Sequence, residues 1–381
     1  MISTLKEKLI NNIKNTIGWK TNRKLIVFSV DDYGNVRLNS KEARVNIDKA
    51  GMKVYSRFDL YDTLETKQDL EELYAVLASV NDKNERHAVF TTFTLPCNID
   101  FEKMEADDFQ QYYFDTLPDT YNKLAKQQPS AYEGTWDLWK KGITDGYLSP
   151  QFHGREHLNL AVFKDKLKKN DKELLTALEN KSYTSISDDD YPTISSTAAF
   201  DFWDVNENET FKPILKEGLE LFEKVFGYKS DYFTPPVFNI HHSLFGTLYE
   251  NGIRYIDLGL VRKEHQGFNS YKSEFNYTGK KTKEGIIIMV RNVVFEPTEE
   301  RGVDWVDYTM DQIEIAFRWK RPAMISSHRV NFCGHIDPKN REKGLLILKN
   351  LLSRIIKRWP DVEFISASEL GELIKKDRNE T

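Results

Sequence analysis

Three short stretches of the sequence combine residue types that could do chemistry. The first is Asp31-Asp32, where the apolar run Lys24–Val30 (KLIVFSV) ends. Two adjacent carboxylates leaving a buried strand crowd like charge into a small volume, which is costly unless a cation shares it. Asp31-Asp32-Tyr33-Gly34 also suits an ordinary solvated turn. The second stretch, QFHGREH from Gln151, holds His153 and His157. Histidines four apart can share one side of a helical turn and offer two imidazole nitrogens to one ion. With one carboxylate they suit zinc or a neighbouring divalent metal, although eight histidines also produce such pairs by chance. The third is ISSHRVN, residues 325–331, in which His328 follows an apolar strand. An imidazole titrates near neutrality and can serve there as a general acid, or it can be a satisfied structural histidine.

The elements that must position these groups alternate. Strands are expected at Lys24–Val30, Ala88–Leu95, Tyr147–Phe152, Tyr232–Phe233, Tyr255–Leu260, Ile286–Val294, Ala323–Ser327 and Glu363–Ser366. Helical patterns separate them at Leu70–Val80, Glu102–Lys126, Phe163–Asn180, Pro213–Phe226 and Arg341–Trp359, and the polar stretch Ser187–Asp190 reads as a loop or lid. Strand–helix alternation without repeats means parallel strands wrapped by helices, and seven or more such units favour a closed α/β barrel over an open sheet. In such barrels chemistry sits at the C-terminal strand ends, where the three stretches fall. Tyr232–Asn239 (YFTPPVFN) ends another strand, and Phe233 and Pro236 could line a sugar-binding wall or merely form a turn.

Composition narrows the class. The 381 residues carry 54 Lys and Arg against 59 Asp and Glu, a net of -5, which argues against a nucleic-acid binder. Cys97 and Cys333 form no CxxC pair, so a thiolate zinc site is not expected. No apolar run is long enough to span a bilayer, and no secretory signal pattern opens the chain, so a cytoplasmic location is expected. Ile2, Leu5, Leu9, Ile13 and Ile17 recur about every four residues with Lys6, Lys8 and Lys14 between them, and Gly18 closes the pattern. Residues 1–20 therefore read as an amphipathic helix ahead of one domain over 21–375. The helix either packs on that domain or lies peripherally on a membrane surface.

In the order strand–Asp-Asp, strand–His-x3-His, Phe-x-Pro-Pro, strand–Ser-x-His, the sequence resembles the polysaccharide deacetylase superfamily over residues 24–370. These carbohydrate esterases include chitin and peptidoglycan deacetylases, and the likeness is to divergent members from surface-polysaccharide gene clusters. The resemblance implies a distorted (β/α)7-type barrel with helical insertions. It implies Asp31 as general base, Asp32, His153 and His157 as ligands of one divalent cation, zinc first, and His328 as catalytic acid. The reaction implied is hydrolysis of an acetyl amide or ester on a carbohydrate or sugar-linked precursor. Two features depart from the family. Thr234 stands where an arginine usually precedes the Pro-Pro, and of the Asp-containing Trp motif only Asp257 remains as a partial match. Arg291 or Arg329, at strand ends, could replace the arginine, and Arg329 and Asn331 could also fix the His328 ring and contact substrate.

Two other readings compete. His153-Gly-Arg-Glu-His157 spells the inverted zinc-peptidase signature HxxEH, which needs a regular helix and leaves Asp31, Asp32 and His328 without roles. A barrel that binds a glycan or partner without catalysis would explain the missing arginine, but not the retention of both Asp31 and His328.

Overall fold

The structure is a computed structural model and describes residues 2–379. Its first barrel strand, β1 (Lys24–Tyr33), is buried along nearly its whole length, as a continuous apolar run in a parallel sheet must be. The other strands are β2 (Phe90–Thr94), β3 (Gln151–Phe152), β4 (Tyr232–Phe233), β5 (Tyr255–Asp257), β6 (Ile287–Met289), β7 (Val293–Val294), β8 (Ala323–His328) and β9 (Val362–Phe364). All pair in parallel, in the order β6-β5-β4-β3-β2-β1-β8-β7, with β9 added beside the first residues of β1. The two ends of this order, β6 and β7, are consecutive pieces of one stretch, interrupted only at Val290–Asn292. The sheet therefore closes on itself as a distorted barrel of seven staves, one of them broken.

Alternation along the strands decides what fills the barrel. Leu25 and Val27 of β1, Phe93, Tyr232, Tyr255, Ile287, Met289 and Met324 form one buried cluster inside it, plugged by Leu370 and Ile374 of the helix Ala367–Asn379. Ile26, Phe28 and Val30 face outward and pack against the helices Lys67–Leu77, Trp305–Arg318 and Pro338–Arg358. The helix Asn208–Phe226 covers β3 and β4 through Phe211, Leu215 and Phe222.

Several elements differ from their sequence signals. The expected helix over Glu102–Lys126 is broken by an antiparallel pair, Cys97–Ile99 with Phe114–Thr116, leaving helices at Phe101–Ala106 and Leu117–Gln127. Phe163–Asn180 divides into Leu160–Lys168 and Lys172–Glu179, because Asn170 adopts a positive φ and Asp171 caps the second helix. The strand read over Tyr147–Phe152 is reduced to Gln151–Phe152.

The N-terminal helix, Ile2–Lys14, docks through polar groups. Trp319 donates its indole N–H to Asn12, Arg321 donates to the carbonyls of Asn15, Thr16 and Gly18, and Lys8 lies near Asp311. The helix thus packs on the domain with Leu9, Ile10, Ile13 and Ile17 exposed. The Ile2 and Leu5 side chains lie outside the described ones. Among the described residues, no helix is long and apolar enough to cross a membrane.

Candidate active site

Parity along the staves carries polar groups to the mouth of the barrel. Continuing the inward series Leu25, Val27, Ser29 reaches Asp31; Met324 and Ser326 lead to His328; Tyr255 leads to Asp257; Met289 leads to Arg291. Asp31 and His328 are register partners across β1 and β8. The same alternation would send Asp32 to the opposite face of the sheet. It does not, because Asp32 holds a left-handed backbone (φ 72°) and the register with β2 shifts between Val30 and Tyr33. A non-glycine residue in that region is strained by about 1–3 kcal/mol, and such strain concentrates at functional sites.

The turn directs Asp32 at two imidazoles. Its Oδ1 lies 3.4 Å from His153 Nε2 and 3.2 Å from His157 Nε2, and all three groups are buried. One ligand atom from each lies within 4.8 Å of the others. His153 Nδ1 lies 2.7 Å from the Thr234 carbonyl oxygen, which can only accept, so Nδ1–H donates there and Nε2 is the nitrogen turned toward Asp32. That Nε2 is buried and has no hydrogen-bond partner. Burial pushes His157 down to about 4, which keeps its ring neutral at pH 7. Burial alone would raise Asp32, but His157, His153 and His328 outweigh it and hold the carboxylate well below its ordinary range. Two imidazoles, one of them with an unpartnered Nε2, and an ionised carboxylate form a donor set that fits zinc or a similar divalent cation.

The histidines do not meet on a helix. Residues 153–159 are irregular, Gly154 takes φ 116°, and the next helix starts at Leu160. Glu156 is turned to Arg155, which donates to both of its oxygens (2.5 and 2.9 Å) and also pairs with Glu217. Neither the helix nor a free glutamate required by HxxEH is present.

Beside this cluster Asp31 accepts both Arg291 terminal nitrogens, Nη1 at 2.7 Å and Nη2 at 2.8 Å. Arg291 Nε donates to Asp257 (2.8 Å), which also accepts from Tyr232 Oη and Thr234 Oγ1. Arg291 can reach both carboxylates because it sits in the break between β6 and β7. On the other side His328 Nδ1 meets Glu296 Oε1 at 2.7 Å, and His328 Nε2 lies 3.9 Å from Asp31 Oδ2. Burial would lower the His328 imidazole, but Glu296, with Asp32 and Asp31, overrides it and raises the group to about 9. Burial would raise Glu296, yet His328 and Arg57 hold it below the usual carboxylate range. The His328 side chain is 31% exposed, against 8% or less for Asp31, Asp32, His153 and His157, so this edge of the cluster is the open one. Phe58 sets its ring edge-on to His328.

Other residues singled out in the sequence sit elsewhere. Arg329 is buried against Asp62 and Glu65, and Phe233 is buried between Phe152 and Phe200, so neither offers a surface to substrate. Asn331 is fully buried and donates to Glu296, Ser327 and the His328 carbonyl, a support for the His328–Glu296 pair. Pro236 packs beside Gly154 in the turn that carries the histidines. Glu296 was missed in the sequence, although it lies at the end of β7 and satisfies the strand-end criterion that selected the others. A polar cleft of about 610 Å³ lined by Asn39, Lys41, Gln128, Lys181, His335 and Arg341 shares no residue with this cluster.

The fold and site together define a class: a closed parallel α/β barrel with a two-histidine, one-carboxylate cluster at its C-terminal mouth. No protein-family model matches the sequence, and no curated protein matches it. Solved structures similar to this chain include a provisionally named polysaccharide deacetylase from Mycobacterium smegmatis, at 10% identity over 95% of this chain and 94% of that one, TM-score 0.47. Another provisionally named polysaccharide deacetylase, from Pseudomonas aeruginosa PAO1, is 9% identical over 92% and 91% of the two chains, TM-score 0.44. A 4-alpha-glucanotransferase from Thermococcus litoralis is 11% identical, TM-score 0.44, and this chain spans 40% of its length. At such identities no residue role is carried across, and the functional reading rests on the site's own geometry.

Proposed function

We propose that the chain is a metal-dependent hydrolase that removes an acyl group, acetyl first, from a carbohydrate or sugar-linked precursor. The observation that carries this reading is the placement of Asp31 and His328 on paired strands beside the Asp32–His153–His157 cluster. Asp32, His153 and His157 would hold the cation, which supplies polarisation of the acyl carbonyl and a more acidic water. Asp31, oriented by Arg291, accepts a proton from the attacking water. His328, oriented by Glu296 and cationic at neutral pH, presents an Nε2 proton for the leaving sugar amine or alcohol as the acyl bond breaks. The products are the free amine or alcohol and a carboxylic acid. An inactive barrel is less well supported, because Arg291 occupies the place on Asp31 that the absent arginine before Pro235 would leave open.

The test is acetate release from a panel of N- and O-acetylated sugars and nucleotide-linked sugars, with the cation stripped and restored. Release that depends on the cation, on Asp31 and on His328 supports the reading. Acetate release from none of the panel by cation-loaded protein would count against it.

A further inference from the structure

The loop after β4 carries His241 and His242, and the hairpin formed by Val261–His265 and Tyr271–Phe275 carries Glu264. One ligand atom from each of these three residues lies within 4.8 Å of the others, and none of the three belongs to the cluster around Asp32. His241 and Glu264 are buried, whereas the His242 side chain is 57% exposed, so the group opens to solvent on one side. His241 Nδ1 lies 2.8 Å from Ser243 Oγ and accepts the Ser243 backbone N–H at 3.3 Å, while its Nε2 is buried without a partner, so a cation bound there would replace a proton on Nε2. A buried imidazole nitrogen left unpaired costs the desolvation of that group, and native sites seldom leave one so. Glu264 Oε2 lies 3.0 Å from His242 Nδ1, and Glu264 Oε1 accepts from the His242 backbone N–H. Phe202 packs edge-on to the His241 ring and limits its rotation.

We propose that His241, His242 and Glu264 form a second divalent-metal site, separate from the first, that clips the loop after β4 to the hairpin. Two imidazoles and one carboxylate favour a transition metal such as Zn²⁺, Co²⁺ or Ni²⁺ over Ca²⁺ or Mg²⁺. Arg262, which also pairs with Glu264, repels a cation, so this site should bind more weakly than the first and lose its ion first to a chelator. The loop begins at Thr234, whose carbonyl holds His153, so a clip here would steady the support of the central site.

Protein stripped by chelator is dialysed against Zn²⁺ alone and the ions per chain are counted. Wild type should hold two, His157→Ala one, and His242→Ala and Glu264→Gln one each. Because the His242 side chain is mostly exposed, His242→Ala should keep the fold, checked by far-UV circular dichroism. In the His157→Ala background, Zn²⁺ should raise the melting temperature, and adding Glu264→Gln should remove that rise. Loss of His242 should weaken binding by more than the roughly 10- to 100-fold typical of a supporting group. One ion in wild type that His157→Ala abolishes would overturn this second site and leave the proposed hydrolase intact. One ion lost only in His242→Ala would do the reverse. No bound ion in wild type would overturn both, and equal binding by wild type and His242→Ala would reduce the group to a His242–Glu264 ion pair.

Discussion

Arg291 grips Asp31 with both terminal nitrogens, at 2.7 and 2.8 Å, while its Nε holds Asp257, so one guanidinium joins two buried carboxylates from different staves. All three side chains are at most 4% exposed. Removing one partner of a buried ion pair leaves an uncompensated charge, at about 3–5 kcal/mol. Arg291→Ala should therefore lower the melting temperature clearly and abolish hydrolysis while Asp32, His153 and His157 still bind metal. Arg291→Lys keeps the charge but loses the fork and should fall between. Wild-type stability and rate in Arg291→Ala would refute this account of how Asp31 is held.

Asp31 and Asp32 should fail differently, because the left-handed backbone at Asp32 sends the two side chains to different partners. Asp31→Asn should keep its metal and lose most activity. Asp32→Asn should lose metal affinity too. Elemental analysis of both variants decides the matter, and equal metal loss would show the roles are wrongly divided.

Much of this was legible in the sequence, for a physical reason. β1 and β8 are buried on both faces, so their apolar runs announce themselves and their polar ends stand out at Asp31 and His328. Inward parity also leads to Asp257 and Arg291, although the break between β6 and β7 that frees Arg291 to reach Asp31 has no local signal. The positive φ of Asp32 could not be read either, since turn and site share the same Asp-Asp-Tyr-Gly letters. The four-residue spacing picked out His153 and His157, but it is an irregular turn around Gly154, not a helical turn, that brings them together. Arg329 looked like a strand-end residue free to contact substrate or replace the absent arginine, because its buried partners, Asp62 and Glu65, lie more than two hundred residues away in the chain.

Gly154 offers a separate test of that turn. At φ 116° an added Cβ is strained, and it would lie 3.3 Å from the Glu156 carbonyl oxygen and 3.5 Å from Pro236. Gly154→Ala should cost about 1–3 kcal/mol of stability and weaken metal binding by shifting His153 relative to His157. Unchanged zinc affinity and melting temperature would mean that the turn does not set the ligand geometry.

His328 allows the proton inventory itself to be checked. Its folded value of about 9 lies above the ordinary unfolded value of about 6.5, so the sign of the linkage is fixed. In metal-free protein its contribution to stability is fully present below about pH 6.5 and is lost as pH rises through about 9. Glu296→Gln removes the main charge that raises His328. It should shift the alkaline loss of activity to lower pH, whereas a merely structural Glu296 would change stability and leave the pH profile in place. If His328 is the acid, His328→Ala should lower turnover on an acetyl amide by roughly 10²- to 10⁴-fold with metal content intact. The defect should shrink on an activated ester, because a good leaving group needs little protonation. Rates on both substrates across pH, measured beside melting temperature, separate the two roles. Equal losses on amide and activated ester with an unshifted profile in Glu296→Gln would show that His328 packs against Phe58 and gives up no proton in the reaction.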